Sequence, residues 1–225
     1  MLGEEDVVVI DPGPDVPKHV RALSVMVSEA RMVTVALTHG HPDHAAAAPA
    51  FAEMVGARVV GPEGVVDGDG IVRDGDRLTC DAGELVVVHT PGHTPEHVCY
   101  HRRQDGALFV GDLFLGEGDT TWVAEYPGCV ADYLRSLDVV RALHPGTLFP
   151  AHGPPLEDAR DAIDRFERHR MSRIEQVRSA LDADPDGTLE SLVDRVYGED
   201  LPAGVRGAAA MSLGALVEYV RESEG

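Results

Sequence analysis

Residues 37–47 read LTHGHPDHAAA, so three histidines and an aspartate occupy the six positions from His39 to His44, directly after the apolar run MVTVALT. The β-branched residues of that run suit a strand buried on both faces. Such a strand belongs inside a layered α/β body, and its polar end must open onto a place where imidazole and carboxylate are wanted together. Gly40 and Pro42 suit a tight loop there, one by conformational freedom and the other by rigidity.

Short strands alternating with helices fill the rest of the first 155 residues. DVVVIDPG reads as a strand ending in a turn, and PDVPKHVRALSVMVSEA as a helix with prolines near its first turn. HAAAAPAFAEMVGA reads as a helix closing on Gly56, and ARVVGP as a third strand. Glycines and aspartates from Gly64 to Arg77 mark turns between short strands. ELVVVHT is a further strand, and VCYHRRQDGALFVGD a pair joined at Gln104-Asp105-Gly106. CVADYLRSLDVVRALH has helical apolar spacing, and TLFPAHGP makes the last strand. Beyond Pro155 the pattern is wholly helical. The expected organisation is an α/β body over residues 1–155 and a helical appendage over residues 156–225.

Other histidines and an aspartate stand at strand ends too. His93 follows ELVVVHTPG, Asp112 follows ALFVG, and His152 follows TLFPA. Loops at strand ends in layered α/β folds gather on one edge, where functional groups collect. His39, His41, Asp43, His44, His93, Asp112 and His152 thus converge on one expected site. Imidazole and carboxylate without thiolate is a donor set for catalytic zinc, and also for manganese or iron. Seven donors exceed what one zinc needs and fit two metals with a bridging carboxylate.

At these residues the sequence resembles the metallo-beta-lactamase superfamily. His39-Gly40-His41-Pro42-Asp43-His44, then T90-P-G-H-T94, G111-D112 and A151-H-G153, match it in order and spacing. The resemblance implies an αββα sandwich with its metals at one edge. It implies that His39, His41 and His93 hold the first metal, that Asp43, His44 and His152 hold the second, and that Asp112 bridges. G116-E-G118 and the segment FERHRMSRIEQVRSAL are similar to a branch that includes a beta-lactamase-like single-strand endoribonuclease, whose C-terminal module is winged-helix-like. Relative to that pattern the first N-terminal strands are missing, since the chain begins almost at the strand ending in Asp11-Pro12-Gly13. Either the start of the chain is truncated, or the first sheet is built from fewer strands and leaves an exposed edge.

The expected chemistry is hydrolysis of an ester, thioester or phosphodiester by water deprotonated on two zinc ions. Asp43 and Asp112 orient that water, and His97, four residues after His93, is either a proton donor or a structural neighbour. Trp122 and Tyr126, in the segment GEGDTTWVAEYPG, are the expected substrate contacts of a lid. His19, His89, His101, His144 and His169 lack such context and read as surface or packing residues. The competing reading is an iron-dependent persulfide dioxygenase on the same fold; a beta-lactamase or an inactive scaffold is disfavoured.

Charge narrows the substrate. Acids outnumber bases 39 to 19, a net charge of -20, and Lys18 is the only lysine. Such a field repels nucleic acid. A small ester or thioester is therefore preferred to single-stranded RNA, and from Met171 onward eleven acids against five arginines exclude DNA as a partner. The acidic start MLGEEDVVVIDPG lacks the basic and long apolar parts of a signal peptide, and three scattered cysteines suit neither a disulfide framework nor a thiolate zinc site. A cytoplasmic location with no membrane attachment follows as the expectation. The appendage is expected to pack on the body, shape the cleft or form a homodimer.

Overall fold

In the computed structural model, residues 1–224 are described. Strands β1 (Asp6–Ile10), β2 (Met32–Ala36) and β3 (Arg58–Val60) form a parallel sheet in that order. β4 (Arg77–Cys80), β5 (Gly83–His89), β6 (Val98–Arg102) and β7 (Ala107–Gly111) make antiparallel pairs in a second sheet, and β8 (Thr147–Pro150) joins β7 in parallel. Side-chain alternation along each strand then assigns the layers. Val7 and Val9 face one apolar cluster with Val20 and Phe51, from the helices α1 (Pro17–Met26) and α3 (Ala48–Val55). Val8, between them, faces the other way onto Leu85, Val87 and Tyr100 of the second sheet. Cys99 and Leu108 in turn face α4 (Cys129–Ala142) and the helices that follow it. The result is helix, sheet, sheet, helix, and the Tyr100 hydroxyl donates to the Leu37 carbonyl at 2.7 Å across the two sheets.

The helical stretch expected from His44 to Ala57 is broken. Pro42–Ala45 forms a short turn of helix, α2, and α3 starts only at Ala48. The loop after β1 takes the intervening hydrogen bonds: the Gly13 amide donates to the His44 carbonyl, and the Ala47 amide to the Gly13 carbonyl, both at 3.0 Å. α3 does close on Gly56, which takes a left-handed φ of 67°.

Residues beyond Pro155 form α5 (Ala159–Ala183), α6 (Leu189–Tyr197) and α7 (Ala203–Glu224). The region is helical as expected, but no strand follows β8 among the described residues to make a wing, and nothing in the structure supports the winged-helix-like assignment. These helices share one apolar cluster with the second sheet and α4, with Phe166 of α5 edge-on to Phe114 at 5.0 Å. No helix among the described residues is long and apolar enough to cross a membrane.

Candidate metal centre

β1 and β2 run the same way in the first sheet, β5, β7 and β8 do so in the second, and the segments that follow them meet at one edge of the sandwich. There the structure brings together all seven expected donors. His39, His41 and His93 form one group, and Asp43, His44 and His152 another, with donor atoms in each lying within 4.8 Å of one another. Asp112 stands between them: its Oδ2 is 3.5 Å from His44 Nε2 and 3.7 Å from His93 Nε2, and its Oδ1 is 3.7 Å from His152 Nε2.

Hydrogen bonds on the outer side of each ring decide which nitrogen faces inward. The Thr38 hydroxyl donates to Asp11 Oδ2 at 2.6 Å, so at 2.9 Å it accepts from His39 Nδ1 and leaves His39 Nε2 without a proton. That Nε2 is buried and has no hydrogen-bond partner among the described residues. His93 Nδ1 donates to the Trp122 carbonyl at 2.9 Å, and His41 Nε2 to Glu125 at 2.9 Å. Two bare lone pairs, on His93 Nε2 and His41 Nδ1, then face each other at 3.0 Å. A proton shared between the rings or a metal cation between them would satisfy that juxtaposition, and with His39 Nε2 also open the residues present fit a divalent metal. Asp112 Oδ1, buried and also without a hydrogen-bond partner, adds a second open donor.

The second group is organised by Asp11. His44 Nδ1 donates to Asp11 Oδ2 at 3.0 Å, turning Nε2 toward His152 at 3.3 Å. Burial depresses the basicity of His44, but Asp11 and Asp112 outweigh it and hold the metal-free pKa up to about 10. Burial and four neighbouring imidazoles pull His39 down. Asp112 is pushed up by burial and more than restored by His44, His93 and His152, which leave its carboxyl below the usual range.

Of the other expected site residues, His97 is wholly buried with both ring nitrogens engaged. The Asp112 amide donates to His97 Nε2 at 3.3 Å, so Nδ1 carries the proton toward Thr90 Oγ1 at 3.0 Å. Burial holds this ring down to about 3. Trp122 reaches the centre through its carbonyl, whereas the Tyr126 hydroxyl donates to Asp132 at 2.9 Å and its ring packs on the core. The sequence reading passed over Asp11 and Glu125. Asp11 carried a signal, being an acid at a strand end like Asp112, but Asp-Pro-Gly reads equally as a turn; Glu125 lies in a loop whose path no local pattern sets.

An αββα sandwich with histidines and aspartates that could hold a metal at one edge defines the class. The chain belongs to the metallo-beta-lactamase superfamily, whose sequence model matches residues 1–67 and 65–152. A beta-lactamase-like protein 2 homolog from Caenorhabditis elegans is 29% identical over 214 residues, covering 90% of this chain and 70% of that protein. An atrochrysone carboxyl ACP thioesterase from Aspergillus fumigatus is 29% identical over 190 residues, covering 78% of this chain and 58% of that protein. Among solved structures, a metallo-beta-lactamase family protein from Thermus thermophilus superposes with a TM-score of 0.79 at 23% identity, covering 100% of this chain and 87% of the other. TTHA1623, solved in a di-iron-bound form, gives a TM-score of 0.53 at 25% identity, covering 72% of this chain and 90% of the other.

Proposed function

We propose that the protein is a binuclear metal-dependent hydrolase of a small-molecule ester or thioester. The observation that carries this reading is the pair of lone pairs on His41 Nδ1 and His93 Nε2, held 3.0 Å apart by outward hydrogen bonds that fix both rings. His39 completes that triad; Asp43, His44 and His152 are the second, with Asp112 between them. Two bound divalent ions, zinc by this donor set, would supply Lewis acidity, lowering the pKa of water and offsetting negative charge that builds on the substrate.

The chain's own residues do the rest. Asp112 and Asp43 accept hydrogen bonds from the attacking water and aim it. Asp43, whose side chain is 53% exposed, is the carboxylate through which a proton reaches solvent. His97 acts as a positioning residue that fixes the Asp112 backbone, because it has no free N–H to offer a substrate. Glu125 and the Trp122 carbonyl hold the His41 and His93 tautomers.

The thioester preference is supported by the thioesterase name of one relative and by the net charge of -20, which repels phosphodiester polymers. Cytoplasmic residence and self-association remain part of the proposal. Iron chemistry is the second reading, favoured by the di-iron form of TTHA1623. Metal content by mass spectrometry on protein purified without added metal separates the two. About two zinc per chain, with thioester turnover that Asp112→Ala abolishes while circular dichroism is unchanged, is the expected result. Iron as the sole metal would move the dioxygenase reading to the front, and RNA cleavage without thioester turnover would overturn the substrate class.

A further inference from the structure

The segment that carries Thr121 and Trp122 has two sides. On one, the Trp122 carbonyl holds His93 and the Thr121 hydroxyl donates to the Asp112 carbonyl at 2.7 Å. On the other, both residues line an open cavity of about 390 Å³ bordered by α5, α6 and α7. Apolar walls come from Leu115, Leu201 and Val205, and the charged groups lining it are His169, Arg170 and Arg173, with no aspartate or glutamate. In a chain with 39 acids and 19 bases, a cavity with that lining is not a sample of the average surface.

Arg170 is 3% exposed. Its Nη2 donates to the Thr121 carbonyl at 3.0 Å and its guanidinium lies over the Tyr133 ring at 5.1 Å, yet its Nε is buried without a hydrogen-bond partner among the described residues. His169 Nδ1 is buried and unpartnered in the same way. Arg173 stacks over Tyr197 at 5.0 Å and donates to Gln176. Neither arginine pairs with a carboxylate among the described residues, and Asp119, whose charge bears on His169, is bound to Arg165. Leaving a buried guanidinium without a counter-charge is costly, and the cost is removed when an anion supplies it. Planar guanidinium groups match carboxylate and phosphate oxygens two at a time.

We propose that this cavity is an anion subsite, taking the phosphate or carboxylate of an organic ligand whose apolar part lies against Trp122, Leu201 and Val205. His169, read from sequence as a packing residue, is thereby one of its donors. Since Thr121 and Trp122 also touch the metal-ligating residues, a ligand seated here lies against the back of the proposed catalytic centre.

Isothermal titration of the full-length protein with phenyl phosphate, benzoate and benzyl alcohol tests this. Binding is read without turnover, so its outcome is independent of the hydrolase proposal. Phenyl phosphate or benzoate is expected to bind and benzyl alcohol is not, and whichever anion binds more tightly identifies the head group. Arg173→Gln, at a half-buried position that tolerates change, should weaken that binding about tenfold or more. Arg170→Lys keeps the charge but loses the fork, and should weaken it too. Unchanged affinity in Arg173→Gln would place the anion elsewhere, on the metals included, and would overturn the proposal, as would the absence of binding by both anions.

Discussion

His44 Nδ1 lies 3.0 Å from Asp11 Oδ2, and the same carboxylate accepts the Thr38 amide at 2.8 Å and the Thr38 hydroxyl at 2.6 Å. One acid at the end of β1 therefore sets His44 directly and His39 through Thr38. Outer partners of this kind typically govern metal affinity by 10- to 100-fold. Asp11→Ala is expected to lower zinc affinity about 10- to 100-fold, measured by competition with a chromogenic chelator. An unchanged dissociation constant would show that neither ring depends on Asp11 for its orientation.

The same pair makes the metal-free protein sensitive to base. His44 has its pKa raised from 6.5 to about 10, so its charged form contributes stability in full below the unfolded value. That contribution is lost as pH rises through about 10. Urea midpoints of metal-free protein should accordingly fall between neutral pH and pH 10, and the fall should be smaller in His44→Gln. Zinc uptake near pH 8 should release protons, because His44 must give one up to become a ligand. A midpoint flat across this range would contradict the assignment.

Gly111 precedes Asp112 at a φ of 49°, and a Cβ there would come within 2.6 Å of Thr38 Oγ1 and 2.7 Å of His97 Nε2. Gly111→Ala should cost about 1–3 kcal/mol from the backbone alone, and more from displaced neighbours. Denaturant unfolding and metal content are expected to fall together, since His97 and Thr38 both hold site residues. Full metal content in a destabilised variant would separate the fold from the site at this position.

Phe166 of α5 is 1% exposed and packs on Phe114, directly downstream of Asp112. Phe166→Ala should cost about 3–5 kcal/mol. A single cooperative unfolding transition is expected in wild type and variant alike, because α5 to α7 share their apolar cluster with the second sheet. Two separate transitions would mean that residues 156–225 fold as an independent unit.

What could be read from sequence follows from the range of the forces involved. His39, His41, His93, Asp112 and His152 were legible because an apolar, strand-like run ends shortly before each of them, and strand ends of one direction share an edge. The αββα layering was legible only through resemblance: the alternation of Val7, Val8 and Val9 shows two buried faces without saying what covers them. The break between α2 and α3 had a local signal in Pro49, which falls in the first turn of α3, whereas the hydrogen bonds from Gly13, some thirty residues away, that bridge the break were not legible. The charges of His169, Arg170 and Arg173 look like one solvated face of a helix, and only the fold of α6 and α7 over them makes a cavity.

Each donor triad takes two members from the segment 39–44 and its third from the second sheet, at His93 or His152. During synthesis, then, the first 92 residues present two pairs of donors but neither of these triads. The first binding place closes after residue 93 has been made and the second after residue 152, in that order. On the proposed assignment, a pair of sites therefore requires the finished sandwich, and a chain abandoned before residue 152 lacks the second set.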